Sequence, residues 1–169
     1  YRSGCGIQTA ALLAGGNVPG TNRGAGVENF DGTSFSEGGD LPQKQSSNGQ
    51  AGTQTAAINS FGYTNSPVPG SSGDAANAIS LEYDGTSWTA GPDGNGVVPL
   101  TGFAMGAGTQ TDALFAGGPP TNSCKYDGTT FTVGPALATA QPGSAQSSGP
   151  AGAGWIAHGE PVPSVGSKT

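Results

Sequence analysis

Histidine, cysteine and positive charge are nearly missing from this chain. Its 169 residues include one histidine, His158, two cysteines, Cys5 and Cys124, and five lysines and arginines against eleven acids, for a formal net charge of −6. Five basic side chains cannot line a stripe of phosphates, which argues against nucleic-acid binding. The same scarcity argues against adhesion to anionic membrane surfaces. No apolar run approaches the ~18–20 residues of a membrane span. A single imidazole leaves little room for a Ser-His-Asp relay, and neither a Gly-x-Ser-x-Gly elbow nor a phosphate loop with its lysine occurs. One histidine is too few for a copper site, and there is no Cys-x-x-Cys for zinc and no EF-hand series for calcium. The chain is therefore expected to be no enzyme and to need no cofactor or metal. The two cysteines are read either as one disulfide or as two small apolar thiols. Tyr1 in place of an initiator methionine reads as a processed or internal start.

Helical signals are also scarce. The 32 glycines and 13 prolines punctuate the chain so often that no ten-residue stretch keeps a 3.6-residue apolar period. Only 33 % of residues are hydrophobic, so the core must be thin and backbone pairing must carry much of the order. Such composition also occurs in low-complexity disorder, but disordered chains owe their solvation to charge, and only 9 % of this chain is charged.

What is present is repetition. Gly6-Ile7-Gln8-Thr9-Ala10-Ala11-Leu12-Leu13-Ala14-Gly15-Gly16 returns at Gly52-Thr53-Gln54-Thr55-Ala56-Ala57-Ile58-Asn59-Ser60-Phe61-Gly62. It returns again at Gly108-Thr109-Gln110-Thr111-Asp112-Ala113-Leu114-Phe115-Ala116-Gly117-Gly118. A second motif alternates with it: Phe30-Asp31-Gly32-Thr33-Ser34-Phe35, Tyr83-Asp84-Gly85-Thr86-Ser87-Trp88 and Tyr126-Asp127-Gly128-Thr129-Thr130-Phe131. The interval of roughly 45–50 residues suits propeller blades or similar β arrays. A worn fourth copy of the first motif is read from Gly152 to Gly159. The units are accordingly 1–48, 49–101, 102–144, and a partial unit with tail over 145–169.

The first motif reads as one uncharged strand closed by glycines. The second reads as a hairpin in which Asp31-Gly32, Asp84-Gly85 and Asp127-Gly128 form two-residue type I′ turns between aromatic pairs. These aspartates recur, and each has a sufficient task in its turn, so they are structural rather than a glycosidase pair. Trp88, at a repeat position, is expected in the core. The longest variable stretch, Tyr63 to Ala78, is read as a loop that either binds a ligand through Tyr63, Asn65 and Asp74 or is a surface insertion without a role.

The order of glycine pair, aromatic strand and aromatic after a short turn resembles the kelch repeat. Gly15-Gly16, Phe30 and Phe35 follow it, as do Gly117-Gly118, Tyr126 and Phe131; the middle unit has Phe61-Gly62 in place of the pair. The wording Gly-Thr-Gln-Thr with Tyr-Asp-Gly-Thr is also similar to repeats in bacteriophage virion proteins. The resemblance implies an all-β fold of kelch-like β-propeller blades, about three four-stranded units plus a partial fourth, completed by other chains or by more of this one. It further implies a structural component of a virion or extracellular assembly, such as a fibre, decoration or baseplate protein. The alternative is a carbohydrate- or protein-binding propeller module. Expected partners are further copies or other structural subunits, or a glycan, with no nucleic acid and no membrane. Residues 150–160 or residues 3–14 are expected to pair through their backbones with a neighbouring copy, or with a missing part of this chain.

Overall fold

The computed structural model describes residues 2–18, 23–65, 74–94, 102, 104–117, 121–139 and 146–157. Among them every regular element is a β-strand. Sheet 1 is an antiparallel meander of β1 (Ser3–Ile7), β2 (Ala10–Ala14), β3 (Val27–Phe30) and β4 (Phe35–Glu37). In sheet 2, β5 (Gln45–Ser46) and β6 (Gly49–Gly52) both pair with β7 (Ala57–Asn65), followed by β8 (Asp74–Tyr83) and β9 (Trp88–Ala90). Sheet 3 is the meander β10 (Met105–Thr109), β11 (Asp112–Ala116), β12 (Ser123–Tyr126) and β13 (Phe131–Val133). A two-stranded fourth sheet pairs β14 (Gln146–Ser148) with β15 (Trp155–Ala157). The chain is thus all-β, with three antiparallel sheets of four or five strands, each with open edges.

The first motif is a hairpin, not one strand. Ile7 pairs with Ala10 around Gln8-Thr9, and Thr109 pairs with Asp112 around Gln110-Thr111. In sheet 2 the N–H of Thr53 donates to Ala56 O at 2.8 Å around Gln54-Thr55. The leading glycines make this turn possible. Gly6, Gly52 and Gly108 take φ of 111°, 116° and 112°, in the left-handed half of the map that side chains avoid. The hairpin also means that residues 3–14 find their backbone partners within the motif, as β14 and β15 do at the other end.

The Asp-Gly turns are longer than expected. Phe30 pairs with Phe35, Tyr83 with Trp88 and Tyr126 with Phe131, so each loop holds four residues rather than two. The aspartate organises the loop through its side chain. Asp84 Oδ1 accepts from the N–H groups of Thr86 and Ser87, both at 2.8 Å, and Asp31 and Asp127 do the same in their loops. These amide donors stabilise the ionised form and hold all three carboxylates below the ordinary aspartate range.

Period-two alternation gives each sheet two unlike faces. Leu12, Ala14 and Val27 of sheet 1 pack against Ala57, Leu81, Tyr83 and Trp88 of sheet 2. Ile58 and Phe61 of sheet 2 pack against Ala113, Phe115, Tyr126 and Phe131 of sheet 3. The aromatic pair of each later sheet therefore covers the sheet before it, and Trp88 is core as expected, 7 % exposed. The strands β1, β6, β10 and β14, one from each sheet, are neighbours in series.

Phe61 stands where the other copies carry the first glycine of the pair, and it adopts that glycine's conformation. Its φ of 55° compares with 68° at Gly15, beside a register shift between Ser60 and Gly62. The strain is offset by complete burial edge-on to Phe115 and Phe131, with ring centroids at 5.4 and 5.1 Å.

Candidate functional site

The residues the sequence marked for binding end up in a ladder. The stretch Tyr63 to Ala78 is the far end of a long hairpin: β7 runs to Asn65, β8 starts at Asp74, and those two residues pair through their backbones. Tyr63 is half-buried, with the guanidinium of Arg23 5.3 Å from its ring centroid and the backbone of Gly102 against the ring. It is a packing residue on those sides, unlike an open stacking platform. Residues 66–73 between the strands, and His158, lie outside the described residues.

Near Tyr63 lies a buried polar group of residues that sequence reading did not mark. Asn48 donates to Asn59 Oδ1 and, at 2.6 Å, to Ser3 Oγ; Asn59 donates to Gln45 Oε1 at 3.3 Å; Arg23 donates to Ser46 Oγ. All but Ser3 are buried. Nothing in their spacing announces them, because three of these residues, Gln45, Ser46 and Asn48, belong to the connection between units.

The Gln-Thr tips carry the chemistry that joins one sheet to the next. Gln54 Nε2 donates to the carbonyls of Ala11, at 3.2 Å, and Phe30, at 2.8 Å, both in sheet 1. Gln110 repeats the contact one unit later, with Ala57 O at 3.1 Å and Tyr83 O at 2.8 Å in sheet 2. One amide thus hooks two carbonyls of the preceding sheet, at the same two motif positions each time. Replacing Gln110 by alanine leaves both carbonyls short of a donor and is expected to cost about 1–3 kcal/mol in urea denaturation, while Gln110→Glu, which cannot donate, should restore nothing. A Gln110→Ala variant as stable as the parent would remove the hook from the account.

Beside the row of β1, β6, β10 and β14 is a hollow of about 760 Å³. Its walls come from β1, β6, β10 and Ser148 to Pro150, together with Gln8, Leu13 and Phe30, and no charged residue is among them. Six of the lining residues are glycines, so much of the wall is bare backbone. Cys5 also borders it; burial pushes this thiol up to about 12, so it is a protonated, sluggish group. Cys124 is likewise raised to about 12 by burial, against a smaller opposing effect of the Phe115 backbone. Both thiols are free: Cys5 packs between sheets 1 and 2 and Cys124 between sheets 2 and 3, so the two-thiol reading holds and the disulfide does not.

The Tyr126 hydroxyl donates to Glu82 across sheets 2 and 3, and burial, followed by this carboxylate, raises its pKa well above the usual phenol range. Among the described residues no three of His, Cys, Asp and Glu stand together as metal ligands. Asp31, Gly32, Asp84, Gly85, Asp127 and Gly128 occupy the loop tips, and each aspartate spends its oxygens on its own loop. What the arrangement offers is surface built by repetition: hooked sheets, aromatic faces and an uncharged hollow. In comparison with known proteins, the chain matches no described family and no curated sequence.

Proposed function

We propose that this chain is a structural repeat protein of a virion or extracellular assembly, its sheets acting as kelch-like propeller blades. The observation that carries this reading is the hook made twice with the same residue types. Gln54 and Gln110 join consecutive sheets through equivalent carbonyls, so sheet-to-sheet stacking is a property of the repeat and not of one position. The serial placement of β1, β6, β10 and β14 beside a hollow supports the blade reading. The virion assignment draws on the resemblance of the repeat wording. Light scattering of the full chain after size exclusion tests it: a defined oligomer is expected, and a monomer at every concentration would overturn the structural role.

A second reading, an adhesive module that binds a glycan, is favoured by the hollow alone. Its uncharged wall, with Phe30 and Gln8 among the lining residues, has the mixture of apolar and hydrogen-bonding groups that sugars require. Binding on a glycan array by the chain as a monomer would favour this reading over the first.

A further inference from the structure

We infer that the hollow beside β1, β6, β10 and β14 is a binding site for a neutral saccharide, with the side-chain amide of Gln50 as its central polar contact. The inference rests on the adhesive reading above and gives it a recognition group.

Gln50 stands out from the repeat. It lies two residues before Gly52, the leading glycine of its unit, and the same position before Gly6 and Gly108 is held by Gly4 and Gly106. The fold therefore asks for no side chain there. The neighbouring Ala51 belongs to the core shared with sheet 3, so strand alternation sends Gln50 from the opposite face of β6. That face looks toward β1: Gln50 pairs across the ladder with Asn59, and Asn48 links Asn59 to Ser3. Gln50 is 3 % exposed and lines the hollow. Neither its Nε2 nor its Oε1 has a hydrogen-bond partner among the described residues. A buried amide unpaired at both atoms works against folding, and the two sister units avoid it with glycine. What it offers is a donor and an acceptor, side by side, at the wall of a cavity.

The rest of the wall sets the class of ligand. No charged residue lines the hollow, so a charged ligand would enter it without a counter-charge. A wholly apolar ligand would leave the amide unpaired. β1, β6 and β10 each pair with a strand on one side only, so their other edges offer backbone N–H and C=O groups, and their glycines keep side chains off those edges. Gln8 and Thr109, both exposed, add a second amide and a hydroxyl, while Leu13 and Phe30 add apolar surface. Adjacent hydroxyls of a sugar ring, each donor and acceptor at once, match the two ends of a carboxamide, and the ring carbons match the apolar part of the wall. The volume of about 760 Å³ lies within the usual range of small-ligand sites.

The test is saturation-transfer NMR of the full chain with lactose, maltose, cellobiose and chitobiose, and with sialyllactose as the charged control. It is repeated on Gln50→Gly and Gln8→Ala, with the thermal melt of each variant recorded. Gln50→Gly installs the residue of the sister units and Gln8 is exposed, so both variants should keep the parental melt. The expected result is binding of at least one neutral disaccharide, weakened about tenfold or more by Gln50→Gly and less by Gln8→Ala, with sialyllactose no better than lactose. Binding indifferent to Gln50→Gly would overturn the role of this amide and leave the glycan reading standing. No binding of any of the four would overturn both. A Gln50→Gly variant with a clearly lowered melt would show that the amide serves the fold, and tighter binding of sialyllactose would overturn the neutral class.

Discussion

Phe61→Ala is expected to destabilise the protein by about 3–5 kcal/mol, read as a lower midpoint in urea denaturation. Phe61 is wholly buried and its ring meets both Phe115 and Phe131, so its removal opens a cavity in the contact between sheets 2 and 3. Against a usual total of ~5–15 kcal/mol, this is a large fraction. Phe61→Gly separates the two effects at the site. Glycine relieves the left-handed φ of 55°, so it should recover about 1 kcal/mol relative to alanine while still losing the core contact. A loss below about 1 kcal/mol for Phe61→Ala would mean that the ring fills no essential space.

The second large effect is expected at Gly52. Its φ of 116° is hostile to a β-branched residue, and a Cβ placed there runs into the carbonyl oxygen of Ala56 in the same turn. A backbone carbonyl cannot swing away as a flexible side chain does, so the hairpin must open. Gly52→Val should cost about 3 kcal/mol or more, combining strain with lost pairing between β6 and β7. Gly26→Ala is the matching control, because a Cβ at Gly26 meets nothing within 4 Å; it should stay within about 0.5 kcal/mol of the parent. Equal stability of Gly52→Val and Gly26→Ala would refute the role given to the leading glycines.

These two positions also show what was legible beforehand. The repeat, the absence of helix and the aromatic pairs were readable because the same loop chemistry recurs three times, and each Asp-Gly does sit in a hairpin loop. The loop length was not readable. Asp-Gly suits a two-residue turn, but the aspartate carboxylate captures two further amides and stretches the loop to four residues. The hairpin in the first motif was hidden because Gln-Thr is a weak turn signal. The turn depends on the glycine before it, and the glutamine faces another sheet, a contact that no local pattern contains. Phe61 looked like a departure from the glycine pair, whereas it keeps the glycine conformation and adds a core side chain. The fourth copy of the first motif starts at Gly149, with its left-handed φ of 102° and a turn closed by Ala153 N–H to Pro150 O, not at Gly152; the frame was lost because Pro150, Ala151 and Gly152 replace the Thr-Gln-Thr wording while Gly152-Ala153-Gly154 imitates its start. Tyr63 to Ala78 was read as a loop because Tyr63-Thr64-Asn65 and Asp74-Ala75-Ala76-Asn77 lack the apolar alternation of a strand; there β7 and β8 are carried by backbone pairing.

The meander inside each sheet and the one-step contacts between sheets make cooperativity a matter of immediate neighbours. Most strand pairings join segments adjacent in sequence, so a sheet closes only short loops as it forms, and the entropic penalty of assembly is spread along the chain. Each sheet then serves as the template on which the next condenses, and order spreads outward like a zipper from any sheet that forms first. Sheet 2 is clamped by a four-stranded neighbour on either face, so its amides exchange with solvent last.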